Sequence, residues 1–204
     1  MNPYSDPQQL AYVVIAILIS LVIHEFMHAL AGHMLGDTTA TEEGRLSFNP
    51  LRHIDPFMTV LLPIITIALF GAPILAAKPV PFNPDRVRFD EFGAAIIAAA
   101  GPLSNLVLAF LSALLLKYLA LGGVLAGFLD VFVVLNVALF VFNLIPIPPL
   151  DGSRVLYAFA PEPIQELMRQ IEPYGFFIIF GLVLAGGLGG LLGNINQAVL
   201  NLLP

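Results

Sequence analysis

Two histidines and a glutamate in residues 24–28, His-Glu-Phe-Met-His, have the types and spacing of a metal site. On a helix, side chains four residues apart share a face, so His24 and His28 can bind one metal ion. Glu25 lies one step around the helix and can reach a water molecule bound to that metal. A metal-bound water beside a carboxylate is what a metal-dependent hydrolase needs. The pattern has only three fixed positions, so other residues must support it.

The motif lies inside an apolar run, 11–35, that is long enough to cross a lipid bilayer. Ionisable residues at membrane depth are costly without partners, and their default interpretation is functional. The whole chain is 58% hydrophobic and 11% charged, with a mean hydropathy of +0.91. Soluble domains are about 45–50% apolar and about 25% charged, so the composition predicts an integral membrane protein. Residues 1–10 contain no Lys or Arg, so we expect the first run to be a retained helix rather than a signal peptide.

Hydrophobic stretches of membrane length divide the chain. A helix that crosses the hydrocarbon core needs about 20 apolar residues. One stretch, 57–77, has the length but contains Pro63, Gly71 and Pro73, so two alternatives stay open: it crosses the membrane, or it re-enters and returns to the same side. The connection 147–173 is expected to form one or two short helices near the interface. Four stretches meet the length requirement fully: 10–35, 92–120, 124–146 and 174–200.

These stretches predict an all-α polytopic membrane protein, with about four to six membrane segments in a single domain over residues 1–204. Alternating prolines in 78–84 forbid a helix there and favour a short extended edge or hairpin. Two interpretations of the glycines around 186–190 stay open, a close-packing face in the last helix or a break in it.

The positive charges favour one topology. If 57–77 returns without crossing, the three polar connections face one side and hold seven of the eight Lys and Arg residues, leaving Lys117 at the far end. Cytoplasmic loops are rich in Lys and Arg, so this arrangement predicts a prokaryotic cell-membrane protein with an outside N-terminus. It also places the metal site nearer the cytoplasmic side. The seven residues are Arg45, Arg52, Lys78, Arg86, Arg88, Arg154 and Arg169.

A catalytic zinc needs a third protein ligand and an open position for water. The chain has no cysteine, so the ligand must be His, Asp or Glu. Asp151 is the strongest candidate, because it follows a proline-rich break at 146–149 that frees backbone carbonyls at membrane depth. Irregular backbone is tolerated there only when it is buried in protein or lines a wet cavity. The alternative is that Asp151 caps a short helix that begins at Ser153.

The topology also bears on Asp151. His24 and His28 lie roughly 10–16 Å from the end of their helix near Leu35. With a re-entrant 57–77, the stretch 124–146 runs parallel to the first helix and delivers Asp151 to that same end. Other acidic and imidazole side chains have simpler interpretations: His33 and His53 as interfacial or loop histidines, and Asp37, Glu42 and Glu43 as a solvated face.

These motifs together resemble the site-2 protease family of intramembrane zinc metalloproteases. Residues 24–28 match its HExxH, Asn143 with Asp151 and Gly152 matches its Asn-x-x-Pro…Leu-Asp-Gly, and 101–105 match its Gly-Pro-x-x-Asn. Their joint occurrence in this order is far more specific than any one motif. Three further stretches are similar to a compact prokaryotic branch that lacks PDZ or other regulatory domains: 44–50, 53–56 and 77–81.

The resemblance implies a three-helix core that holds one Zn²⁺ through His24, His28 and Asp151, with Glu25 as the catalytic base. It implies cleavage of peptide bonds within transmembrane segments of other proteins, either in regulated intramembrane proteolysis or in clearance of membrane stubs. The expected partners are a membrane-protein substrate and the lipid bilayer, with no nucleic acid. A different class, a metal transporter or a non-catalytic metal-binding scaffold, stays open, although such a site gains nothing from Glu25.

Four further residues are candidates for contact with substrate. Asn105 and Asn143 are amides in apolar helices that can donate hydrogen bonds to an oxyanion or to substrate backbone. Their alternative role is hydrogen bonding between helices. Phe82 and Asn83 lie in the extended edge, which could pair with an unwound substrate as an added strand. The alternative is a stiff loop that blocks unwanted pairing.

Overall fold

The computed structural model describes residues 6–53, 81–186 and 189–204. All regular secondary structure in these ranges is helical, which confirms the predicted all-α class. Short 3₁₀ turns lie at Pro50–Arg52, Pro84–Arg86 and Glu172–Tyr174. The α-helices are α1 (Pro7–Met34), α2 (Thr39–Glu42), α3 (Asp90–Tyr118), α4 (Gly123–Asn143), α5 (Asp151–Phe159), α6 (Glu162–Ile171), α7 (Gly175–Leu184) and α8 (Gly189–Leu202).

Three of these helices, α1, α3 and α4, are long and apolar enough to cross a membrane. The shortest, α4, has 21 residues and is therefore about 32 Å long, close to the thickness of the hydrocarbon core. The start of α1 is well defined, because the Asp6 carboxylate accepts a hydrogen bond from the Gln8 backbone at 2.9 Å and Pro7 opens the first turn. These helices overlap the predicted segments 10–35, 92–120 and 124–146.

The stretch 174–200 forms two helices rather than one continuous helix. α7 ends at Leu184 and α8 begins at Gly189, and Gly186 has a φ of +69°, a left-handed conformation that favours glycine. At about 15 and 21 Å, neither helix alone spans the hydrocarbon core. Of the two interpretations of these glycines, the structure therefore supports the break. The segment 57–77, for which crossing and re-entry were both left open, lies outside the described residues.

The helix directions place the ends of α1 and α4 on the same side of the bundle. Near the start of α1, the Tyr12 ring meets Phe128 of α4 edge-on, with centroids 6.1 Å apart. At the other end, the Arg88 backbone donates to the Leu35 carbonyl at 2.9 Å just before α3 begins. Accordingly α4 runs parallel to α1 and α3 runs antiparallel to both. This is the arrangement that the sequence required for Asp151 to approach the two histidines.

Two smaller features complete the surroundings of the site. The connection after α4 contains the short helices α5 and α6, as predicted for 147–173. Residues 81–83 have no regular secondary structure and lead into a 3₁₀ turn, so the described part of the predicted edge is not a β-strand. α8 packs against the C-terminal half of α4, where Leu192, Val199 and Leu200 meet the buried Val137 and its neighbours.

Candidate metal centre

The side chains of His24, His28 and Asp151 converge on one point. The Nε2 atoms of the two histidines are 2.9 Å apart. The Oδ2 atom of Asp151 lies 3.2 Å from Nε2 of His24 and 3.4 Å from Nε2 of His28. Within the described part of the chain, no other set of three His, Cys, Asp or Glu side chains is grouped in this way. The predicted ligand set is therefore assembled in space.

Each ligand is positioned by local sequence. His24 and His28 are one helical turn apart on α1, and both are buried. Asp151 is the first residue of α5, and the chain reaches it by folding back onto the end of α4. That fold requires Gly152, because a Cβ there would lie 2.2 Å from the Leu144 carbonyl oxygen. The N-cap of α5 is Leu150 and Asp151 already lies inside the helix, which favours the ligand interpretation over the capping one.

Hydrogen bonds on the far side of each imidazole orient its ligand nitrogen. Nδ1 of His28 lies 2.7 Å from the carbonyl oxygen of Ile97, which can only accept, so Nδ1 carries the proton. Nδ1 of His24 lies 2.6 Å from Oδ1 of Asn105. In both rings Nε2 then presents a lone pair to the point of convergence, as a metal ligand must.

The chemistry of this donor set fits a cation. Two imidazole lone pairs and a carboxylate oxygen face one another at 2.9–3.4 Å, and such groups repel unless a positive charge lies between them. The Oδ2 atom of Asp151 is buried and accepts no hydrogen bond from the described residues. Tetrahedral zinc with bonds of about 2.0–2.2 Å would separate its ligand atoms by about 3.3–3.6 Å, so small shifts of these side chains would suffice to hold it. A mixed His and carboxylate set with an open fourth position is typical of catalytic zinc.

Helix α3 passes unusually close to the ligand atoms at Gly101. A Cβ at this position would lie 2.3 Å from Nε2 of His28 and 2.6 Å from Nε2 of His24. Only a residue without a side chain lets the two helices approach this closely. The adjacent Pro102 is fully buried, so this contact lies in the interior of the bundle.

The predicted base Glu25 follows His24 on α1 and is 7% exposed. The next residue, Phe26, stacks on Phe48 with ring centroids 4.1 Å apart, so the connection after α2 covers this part of α1. Glu25 is thus buried next to the metal ligand His24 and shielded from solvent.

The other predicted residues have different surroundings. Asn143 is half-buried and donates one amide hydrogen to the Leu139 carbonyl at 2.9 Å. The Phe82 ring lies under the Arg154 guanidinium, 5.6 Å from its centroid. The backbone of Asn83 donates to Asp37 at 2.7 Å and accepts from Arg86 at 3.0 Å, so both of its backbone polar groups are already engaged.

Of the side chains given simpler interpretations, Glu42 and Glu43 are exposed as expected, whereas His53 and Asp37 are buried. His53 is 3% exposed and its Nε2 lies 2.7 Å from the Ser47 carbonyl, so it is a hydrogen-bonded loop histidine. Asp37 is 1% exposed, which corrects its placement on a solvated face. Burial opposes ionisation of Asp37, but hydrogen bonds from Thr39 and Asn83 outweigh it and lower its pKa.

Two residues at the site did not stand out as functional in the sequence. Asn136 is fully buried and bonded to Asn105, and Ile97 contributes only its backbone carbonyl. An amide in the middle of the apolar stretch 124–146 is a signal that could have identified Asn136. Every residue has a backbone carbonyl, so the sequence does not distinguish Ile97 from its neighbours.

Comparisons with known proteins agree with this site. Residues 119–186 match a family model described as "Peptidase family M50". "Putative zinc metalloprotease YwhC" of Bacillus subtilis is 37% identical over 180 residues, which cover 84% of this chain and 79% of the relative. "Putative zinc metalloprotease Rip2" of Mycolicibacterium smegmatis is 30% identical over 201 residues, 92% of this chain and 72% of the relative. No solved structure matches the chain significantly.

An archaeal relative extends the comparison. "Putative zinc metalloprotease MJ0611" of Methanocaldococcus jannaschii is 33% identical over 142 residues, 70% of this chain and 67% of the relative. These matches confirm the resemblance that residues 24–28, 101–105 and 143–152 carry, and the assembled donor set agrees with a zinc cofactor. The chain therefore belongs to peptidase family M50, the site-2 protease family of zinc metalloproteases.

Proposed function

We propose that this protein hydrolyses peptide bonds within transmembrane segments of other membrane proteins. The observation that carries the proposal is the depth of the metal centre. His28 lies six residues and His24 ten residues before the end of α1 at Met34, or about 9 and 15 Å along the helix. A hydrolytic centre at that depth in a membrane-length helix favours a substrate that is itself in the membrane.

The residues divide the chemical work. Zinc, held by His24, His28 and Asp151, lowers the pKa of a bound water to about 7 and polarises a carbonyl group. Glu25 takes a proton from the attacking water and passes it to the amide nitrogen of the leaving group. General base catalysis of this kind typically contributes about 100–10,000-fold in rate. The buried position of Glu25 keeps this proton transfer away from bulk water.

Substrate must unwind before it can react, because the carbonyl groups of a helix are occupied by its own hydrogen bonds. Asn143 is half-buried and uses one amide hydrogen, so its second can bind substrate backbone or the oxyanion. Phe82 stays a candidate for the substrate edge. Asn83 can contribute only through its side chain or by giving up an existing backbone bond.

The site is proposed to lie nearer the cytoplasmic side of a prokaryotic cell membrane. Among the described residues, the six arginines lie in the connections at the site end of the bundle, and Lys117 lies near the far end of α3. An excess of positive charge marks the cytoplasmic side. The substrate is then a membrane protein whose cut segment is reached from that side, in signalling or in clearance of membrane stubs.

The test pairs metal content with cleavage of a transmembrane peptide by the detergent-purified protein. Glu25→Gln should keep one zinc per chain and lose activity by at least about 100-fold, whereas Asp151→Ala should lose zinc. Glu43→Gln is the matched control, because Glu43 is exposed and should leave both unchanged. Full zinc in Asp151→Ala would contradict the ligand set.

The Glu25→Gln variant also distinguishes a protease from a metal transporter. Transport through the site does not need a proton acceptor beside the first histidine. Undiminished zinc flux into vesicles by Glu25→Gln, with no cleavage by the wild type, would favour transport and overturn the proposal.

A further inference from the structure

We infer that Asn136 is a positioning residue that acts through Asn105 to fix the tautomer of the zinc ligand His24. The inference rests on the zinc centre described above and deepens it. Asn136 lies on α4, Asn105 on α3 and His24 on α1, so the three core helices each contribute one group. No step of the proposed reaction uses Asn136 directly.

The three side chains form one continuous chain of hydrogen bonds. Nδ2 of Asn136 donates to the Phe132 carbonyl at 2.8 Å, one turn earlier on α4. Nδ2 of Asn105 donates to Oδ1 of Asn136 at 2.8 Å. Oδ1 of Asn105 lies 2.6 Å from Nδ1 of His24. Asn105 and Asn136 are fully buried and His24 is 4% exposed, so water does not compete for these bonds.

The direction of every bond follows from the first one. A backbone carbonyl can only accept, so the Phe132 oxygen must face the NH₂ group of Asn136. The oxygen of Asn136 is then turned toward Asn105 and must receive its NH₂ group. The oxygen of Asn105 is in turn left facing His24, and it can bond only to a protonated Nδ1. Each amide would have to reverse for the imidazole to change tautomer.

Zinc binding depends on which nitrogen of His24 carries the proton. With the proton on Nδ1, Nε2 of His24 offers its lone pair to the metal; with the proton on Nε2, the ligand is lost. Partners of this kind typically change metal affinity or activity by about 10–100-fold when they are removed. Asn105 is consequently engaged at both ends of its amide, which supports a positioning role over the predicted contact with an oxyanion.

The decisive variant is Asn136→Leu, which keeps the approximate volume and leaves the Asn105 amide free to reverse. We expect zinc affinity, measured by competition with a chelator, to fall about 10–100-fold. Asn136→Asp should restore most of it, because a carboxyl oxygen accepts from Asn105 whether or not the group is protonated. Ser112→Ala is the control. It removes a buried polar group of α3 that is not part of this chain of hydrogen bonds, and it should keep the wild-type zinc affinity.

A measurement on the wild type keeps the inference testable if Asn136→Leu does not fold. The ¹⁵N NMR spectrum of zinc-loaded, histidine-labelled protein should show His24 with a protonated Nδ1 and a metal-bound Nε2. Metal binding through Nδ1 would overturn the inference, and so would wild-type zinc affinity in a folded Asn136→Leu variant. If the wild type binds zinc as expected but cleaves no transmembrane peptide, the proposed function fails while the positioning role stands.

Discussion

Gly101 of α3 lies against His28 of α1 so closely that a single added methyl group would come within 2.3 Å of the ligand nitrogen. The contact joins two helices at the point where the metal binds. A glycine in a membrane helix is often explained by helix packing alone. Here the neighbour is a ligand atom, so the glycine is tied to the chemistry as well as to the packing.

Gly101→Ala is expected to displace the imidazoles of His24 and His28 and to lower zinc content well below one per chain. Activity should fall with the metal, because the ligands can no longer converge. Metal analysis by mass spectrometry checks the result. Gly181→Ala on α7, where no atom lies within 4 Å of an added Cβ, is the matched control and should keep its zinc. Retention of full zinc in Gly101→Ala would contradict the close approach.

Removal of zinc should destabilise the folded protein. The three ligand atoms repel one another without a cation, and a ligand that binds only the folded state stabilises it by about 2.7 kcal/mol at one hundred times its dissociation constant. Thermal unfolding in detergent should therefore shift to higher temperature as zinc is added back to the chelated protein. Asp151→Ala should show little or no shift, and an equal shift in that variant would place the stabilising metal elsewhere.

Asp37 should make the protein sensitive to acid. Its pKa is lowered in the folded state, so its ionised form contributes stability above the unfolded value of about 4, and this is lost as the pH falls through the lower folded value. One carboxylate oxygen accepts from Thr39 and the other from Asn83, so Asp37→Asn loses one of these acceptors. Hydrogen bonds to charged groups contribute about 1.5–3 kcal/mol, which sets the expected loss near neutral pH.

The measurement for Asp37 is the unfolding midpoint as a function of pH. The gap between wild type and Asp37→Asn should be largest near neutral pH and should close in acid. Asp85→Asn, at an exposed position near Asn83 in the segment before α3, is the control and should follow the wild type. A gap of constant size at every pH would show that the ionised form of Asp37 is not what stabilises this connection.

Replacement of both Phe82 and Asn83 by glycine should slow cleavage of a transmembrane substrate while zinc content stays unchanged. Phe82→Gly alone is expected to account for most of the effect, because glycine at 83 keeps the backbone bonds to Asp37 and Arg86. Initial rates at several substrate concentrations check whether binding is affected. Cleavage at the wild-type rate in the double variant would rule out a substrate edge at these residues.

Much of the site could be predicted from residue types and spacing. One helical turn between His24 and His28 follows from the geometry of a helix, and the parallel course of α4 followed from the distribution of charges. The bond between Asn136 and Asn105 depends on how two helices are rotated against each other, which no single-helix pattern determines. The break near Gly186 was ambiguous, because a glycine in an apolar stretch serves equally for close packing and for a left-handed turn.

The zinc ligands come from distant parts of the chain, with His24 and His28 near its beginning and Asp151 in its last third. A nascent chain that has inserted only α1, α3 and α4 holds the two imidazoles but lacks the Asp151 carboxylate, so its ligand set is incomplete. We therefore expect the complete ligand set to form late in biosynthesis, after the segment that follows α4 has folded back against α1. If the chain cleaves membrane segments as proposed, unfinished or truncated chains would lack the complete site that is needed to cut their neighbours.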